Sequence, residues 1–241
     1  TQHHKDIACA VQKHLERIVL KQLEIAKNKF GYTKLCIAGG VGLNCSLNGK
    51  IEQSKLFDEI FVQPASGDNG TAIGACYLAY KKYNKNLKPE KNHNFYLGSS
   101  YTNEEILSSI CEANLSHSKS NNIFKDTAKH ISNKKIIGWF QGNAESGPRA
   151  LGNRSILVLP VEGMKDYLNK KVKFREEFRP FAPAILHEYT SDYFNISQES
   201  PHMLMACQVK DNVKNKIPSV IHVDNSARVQ TVDKNNDKLY S

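Results

Sequence analysis

The chain has no apolar run approaching the ~20 residues that cross a bilayer, no C-x-x-C pair, no internal repeat and no low-complexity tract beyond a lysine- and asparagine-rich stretch. The first absence argues against a membrane partner. The second sets aside a zinc site built on paired cysteines. The six cysteines, at 9, 36, 45, 76, 111 and 207, then read as buried reduced thiols of a cytoplasmic protein. The opening Thr1-Gln2-His3-His4-Lys5-Asp6 is neither a signal peptide nor an initiator methionine. It runs straight into a helical pattern, so the chain is expected to begin mid-protein.

What is present is a chain of 241 residues, 40% hydrophobic, with ten Tyr and ten Phe. That is enough for a real core and for one or two domains. The net charge of +9 admits nucleic acid as a partner, although Lys81, Lys82, Lys85 and Lys88 read as a solvated linker.

Ile7, Ala8, Val11, Leu15, Ile18, Val19, Gln22 and Ala26 mark one face of a long helix ending near Gly31. A buried strand follows at Leu35-Cys36-Ile37-Ala38. The turn Gly39-Gly40-Val41-Gly42-Leu43-Asn44 leads into a helix through Ser54. Such a turn can lay a phosphate on a helix N-terminus, or be no more than a tight connection. A second strand spans Phe57 to Val62, and Asp68 opens a further helix. Spacing alone favours Asp68 as a helix cap over a metal ligand. This alternation indicates an α/β layer. The polar stretch from Lys81 to His93 is a linker, with a domain boundary between residues 84 and 98. Past it the pattern predicts a helix capped by Asn103, a helix over 123–131, and strands at 135–140, 155–159, 182–186, 203–209 and 228–232. A helix covers 164–169. More strands than helices make this part α+β.

The segment Trp139 to Ser155 (WFQGNAESGPRALGNRS) organises the chain. Its glycines let backbone N–H groups approach an anion, and its arginines can grip phosphate or carboxylate in two places. From Lys134 to Pro183 there are ten Lys and Arg against five Asp and Glu, about half of the excess charge in about a fifth of the chain. A site for phosphorylated or adenylated small molecules is the first reading.

Several motifs then coincide: Ala38-Gly39-Gly40-Val41-Gly42-Leu43-Asn44, Pro64-Ala65-Ser66-Gly67-Asp68-Asn69-Gly70, and Gly147-Pro148-Arg149-Ala150-Leu151-Gly152-Asn153-Arg154-Ser155. So do Asn169, Val172-Lys173-Phe174-Arg175-Glu176, Phe178-Arg179-Pro180-Phe181-Ala182-Pro183, and His222-Val223-Asp224 with Ala227 to Val232. In this order they resemble the NodU/CmcH carbamoyltransferase family, from about residue 6 to 232.

The resemblance implies α/β plus α+β: residues 1–90 as the C-terminal part of an actin/Hsp70-like ATPase lobe, and 91–241 as a YrdC-like domain. It implies an enzyme that forms carbamoyl-adenylate from carbamoyl phosphate and ATP. The enzyme then passes the carbamoyl group to a hydroxyl of a small molecule or oligosaccharide, with a homodimer as one assembly. Arg149, Arg154, Lys173 and Arg175 would carry the catalysis. Gly39, Gly40, Asn44, Gly147, Asn153, Ser155 and Arg179 would bind the cofactors, and Asp68 would hold a divalent metal, iron or magnesium. Phe178 and Phe181 either pack the adenine or fill the core, the core being favoured. The chain departs from the family at Ser146, where an aromatic is usual, and at Asn225-Ser226, where Gly-Thr is usual; Asn serves if that turn needs a positive φ. The family's H-x-x-x-H pair and its N-T-S-F-N segment are absent. The chain is therefore expected to be an internal fragment.

Two other readings stand beside this one. A tRNA-modifying or nucleic-acid-binding module fits the charge, but no alternation of aromatic and basic residues marks a stacking platform. A sugar-kinase-like ATPase fits the glycine turn and Asp68, but has no place for the loop at 142–155.

Overall fold

The structure is a computed structural model and describes residues 1–86 and 95–234. The linker expected at Lys81–His93 falls partly, and the boundary between residues 90 and 91 wholly, outside the described residues.

Helix α1 (Gln2–Phe30) is built on the predicted apolar spacing and stops at Gly31, which adopts a left-handed conformation. It lays Leu15, Val19, Leu20 and Leu23 half-buried against the core and leaves Ile7, Val11, Ile18 and Ile25 exposed. Strands β1 (Lys34–Ile37) and β2 (Glu59–Val62) pair in parallel. A parallel pair needs a crossover; here it is a 3₁₀ turn over Gly40–Leu43 followed by α2 (Cys45–Gln53). Helix α3 (Asn69–Tyr83) buries none of its residues.

Helix α4 (Asn103–Glu112) is capped one residue earlier than expected. Thr102, not Asn103, is the N-cap, in a reciprocal capping box with Glu105. After α5 (Ile123–Ser132), β3 (Ile137–Phe140) and β4 (Arg154–Leu157) form an antiparallel pair whose connection is the glycine-arginine loop. Helix α6 (Met164–Leu168) runs on into a π-helical turn over Asn169–Lys173.

The remaining strands are short. β5 (Ala184–Leu186) pairs in parallel with β9 (Gln230–Val232). After α7 (Thr190–Tyr193), β6 (Phe194–Asn195), β7 (Ala206–Val209) and β8 (Ser226–Arg228) make an antiparallel sheet. Two expected strands differ from those observed. The run 228–232 divides at Val229, which is fully buried, so β8 and β9 serve different sheets. The run 203–209 joins its sheet only from Ala206. Met203 takes φ +54°, and Leu204 and Met205 turn instead onto α2.

That turn joins the two halves of the sequence. Leu47 and Ile51 of α2, Phe57, and Ile60 and Val62 of β2 share one core with Leu204 and Met205. Burying each such side chain contributes about 1.5–3 kcal/mol. Gly49 lies so close to Ala206 that a Cβ there would run into the Ala206 carbonyl. Gln198 accepts from Ile60 N at 3.1 Å and donates to Ile60 O at 2.8 Å, so a side-chain amide takes the place of a ladder partner along β2. A second core, Phe194, Cys207, Val209, Val213, Ala227 and Val229, lies around β7 and β8.

The cysteines correct an expectation. Only Cys207 is buried; Cys9, Cys36, Cys76 and Cys111 are exposed and Cys45 is intermediate. The apolar runs that hold the exposed ones lie largely on α1, α3 and α4, none of which buries a residue.

Candidate functional site: a basic cavity behind the glycine-arginine loop

The loop between β3 and β4 is organised around a carboxylate. Glu145, nearly excluded from solvent, accepts the backbone N–H groups of Leu151 and Asn153 at 2.8 Å and of Arg154 at 3.2 Å. Burial opposes its ionisation, but these donated N–H groups outweigh burial and hold the carboxyl below its ordinary value. Gly152 N donates to Ser155 Oγ at 3.0 Å, and Asn153 Nδ2 donates to Asn143 O at 2.6 Å. The loop's N–H groups at Leu151, Gly152, Asn153 and Arg154 thus point inward. The expectation that its backbone cradles an anion is corrected for these four positions, whose N–H groups are taken by Glu145 and Ser155.

Gly147 is glycine for two reasons. Its φ is +104°, and a Cβ would sit 2.8 Å from the Pro64 carbonyl in the first half of the chain. This contact seats the loop beside the segment that precedes Asp68. Arg149 crosses the same seam and donates from Nη2 to Leu43 O at 3.4 Å.

Behind the loop lies a cavity of about 1250 Å³. Its walls include Arg149, Ser155, Lys165, Lys173, Arg175, Phe181, Lys210, Lys216 and Arg228, against Asp192 as the one acidic lining residue among those described. The Nε atoms of Arg149 and Arg228 are buried without a partner. Burial, and after it the charge of Arg149, with a smaller part from Arg175, pulls the Arg228 guanidinium below its ordinary value; Cys45 of α2 works the other way. Arg175 is likewise lowered, by burial first and then by Arg179. Like charges gathered on a half-buried wall repel one another, and an anion between them would relieve that repulsion.

Of the residues singled out in the sequence, Arg149, Ser155, Lys173 and Arg175 come together on this cavity. Arg154 and Arg179 do not line it. Arg154 pairs with Glu145 at 3.6 Å and Arg179 with Glu176 at 3.8 Å. Asn153 and Gly147 shape the loop. On the other side of the seam, Gly39 (φ +102°) donates its N–H to Ser66 O at 2.9 Å, and no atom lies within 4 Å of where a Cβ would stand at Gly39 or Gly40. Asn44 caps α2 by accepting from Leu47 N at 3.0 Å, and it donates to Gln12 of α1 at 2.9 Å. Asp68 occupies the N-cap position of α3, is exposed, and makes no side-chain bond to the helix. Among the described residues no group of three His, Cys, Asp or Glu is placed to hold a metal. Asp68 alone does not make a metal site.

Two aromatic expectations are also resolved. Phe178 is 79% exposed and is not core. Phe181 lies on the cavity wall with its ring 4.7 Å from the Arg175 guanidinium carbon. Asn225 does adopt a positive φ, +62°, in the turn where His222 N donates to Ser226 O at 2.8 Å.

Arg228 and Asn169 were quoted as motif members without a role, and both matter here. A signal for Arg228 was present: an arginine set between the apolar Ala227 and Val229, both of which the structure buries fully. No local signal marks Lys210 or Lys216, which reach the cavity from a 3₁₀ turn and its approach.

Comparison with known proteins identifies the family. Residues 1–77 match the Carbamoyltransferase N-terminus and residues 128–241 the Carbamoyltransferase C-terminus. Nodulation protein NolO of Bradyrhizobium diazoefficiens is 40% identical over 248 residues, covering all of this chain and 45% of that protein. Nodulation protein U of Rhizobium tropici is 35% identical over 237 residues, covering 97% of this chain and 40% of that protein. An uncharacterized protein of Synechocystis is 37% identical over 269 residues, covering all of this chain and 44% of that protein. The chain spans less than half the length of these relatives. With both family regions matched in order and the seam between them packed, the chain belongs to the carbamoyltransferase family.

Proposed function

We propose that this chain carries the carbamoyl-phosphate and ATP site of an O-carbamoyltransferase. Residues 1–90 would then be part of an actin-like lobe, and 91–241 a YrdC-like domain. The observation that carries the reading is that Arg149, Arg175 and Arg228 share one cavity, and that the Nε atoms of Arg149 and Arg228 are buried there without a partner. Among the arginines singled out in the sequence, the ion pairs go to Arg154 and Arg179 instead. Guanidinium forks without carboxylates suit a phosphorylated ligand.

In the proposed reaction, carbamoyl phosphate loses its phosphate to water and leaves carbamate. A carbamate oxygen attacks the α-phosphorus of ATP, and pyrophosphate departs. An acceptor hydroxyl then attacks the carbamoyl carbon, its proton goes to solvent, and AMP leaves. Arg149, Arg175, Arg228 and Lys173 would offset the charge that develops on the phosphoryl oxygens. The acceptor is a small molecule or oligosaccharide. Nucleic acid is not favoured, because the basic groups line a cavity rather than an open face.

Exchange of labelled pyrophosphate into ATP tests the adenylation step. Exchange that requires carbamoyl phosphate and is lost in Arg228→Ala is expected. Exchange indifferent to carbamoyl phosphate, or none at all, contradicts the step.

A further inference from the structure

Asn169 is fully buried, yet it lies in the most basic stretch of the chain, beside Lys170, Lys171 and Lys173. Its backbone N–H closes α6 on Lys165 O and Asp166 O; every other hydrogen bond described for it reaches the segment that delivers Arg175. Its carbonyl accepts Phe174 N–H, which closes the π-helical turn, and Arg175 N–H at 3.0 Å. Its Oδ1 accepts Arg175 Nε at 2.7 Å. Its Nδ2 donates to Arg179 O at 2.9 Å and Glu177 O at 3.3 Å.

The backbone is bent to make this possible. Phe174 takes φ +47° and ψ +51°, a region that costs a bulky residue about 1 kcal/mol or more. Its ring is 83% exposed, so packing does not offset that cost. The bend does one thing: it reverses the chain so that Arg175 returns over Asn169. With Nε held by Asn169 and the ring of Phe181 beside it, the guanidinium keeps Nη1 and Nη2 for a ligand, Nη2 making only a 3.5 Å contact to Pro180 O. The acceptor is also neutral. An aspartate here would hold Nε as well, but it would cancel the charge that the cavity offers an anion.

We infer that Asn169 is the positioning residue of the anion site and acts on ligand binding through Arg175. This rests on the reading of the cavity as an anion site. Other side chains of the loop, such as Lys173, are not what it sets.

A double-mutant cycle with inorganic phosphate as the probe tests this, using titration calorimetry and parallel melting curves on the unsubstituted chain, Asn169→Ala, Arg175→Ala and the double variant. Each single substitution is expected to weaken phosphate binding about tenfold. The double variant is expected to match Arg175→Ala within about twofold. A double variant weaker than Arg175→Ala by the full factor of Asn169→Ala overturns the inference, since Asn169 then supports the loop rather than Arg175. So does Asn169→Ala binding normally. If Asn169→Ala does not fold, Asn169→Ser leaves a hydroxyl in the space and takes its place in the cycle. No saturable phosphate binding to the unsubstituted chain, or an Arg175→Ala variant that binds normally, overturns the anion-site reading itself.

Discussion

Asn48 on α2 donates its amide to the carbonyl of Leu204 at 2.8 Å, joining positions 156 residues apart. The same amide donates to Gly42 O at 2.8 Å, in the turn that leads into α2. One fully buried side chain thus ties the glycine turn of the first half to the strand approach of the second. The matched N-terminal and C-terminal regions consequently meet as packed parts and not as beads on a linker.

Asn48→Ala removes both donors and leaves two buried carbonyls unsatisfied. A loss of about 1–3 kcal/mol is expected, read as a lower midpoint in urea. Because α2 belongs to the shared core, fluorescence of Trp139 in the second half and far-UV circular dichroism should shift together. Separate transitions would show that the halves unfold independently.

The pH dependence of stability follows from Glu145. Its folded-state pKa is depressed below the ordinary 4.5 by the donated N–H groups, against the opposing effect of burial. A depressed carboxylate contributes stability that is fully present above the unfolded value and lost as pH falls through the folded one. Stability should fall below about pH 4.5. Glu52, also depressed, adds to the slope; burial opposes its ionisation, and bonds from Lys55 and Ser197 outweigh it. Glu145→Gln should be less stable at pH 7 by about 1–3 kcal/mol and lose less on acidification. Equal acid slopes in the two proteins would remove Glu145 from this role.

Thiol labelling separates the cysteines. Cys207 is buried in the second core, and burial pushes its thiol up to about 12. At pH 8 it should resist iodoacetamide while Cys9, Cys36, Cys76 and Cys111 react, as read by mass spectrometry of peptides. Labelling of Cys207 at the rate of the exposed four would contradict the packing of β7 against β8.

The sequence made the local elements legible and the seam invisible. The spacing on α1, the crossover from β1 to β2 and the irregular loop before Arg154 are all signals within a few residues of one another. The partner of Leu204 is Asn48, and nothing local to either reveals it. The inward turn of four of the loop's N–H groups was hidden for the same reason. Glycines and arginines in a row look like an anion cradle until Glu145, whose partners lie six to nine residues away, is seen to draw the N–H groups inward. The site was half legible. Arg149 and Arg175 stood out in their motifs. Arg154 looked equivalent to Arg149, but it pairs with Glu145 and does not line the cavity. Arg228 comes from the far end of the chain, and only the fold brings it to Arg149.

The central claim is that guanidinium groups make the anion site. Titration calorimetry with carbamoyl phosphate on the unsubstituted chain and on Arg228→Ala tests it most directly. Saturable binding, weakened about tenfold or more by Arg228→Ala in a protein that still melts cooperatively, is the predicted result. Undiminished binding in Arg228→Ala would contradict the account.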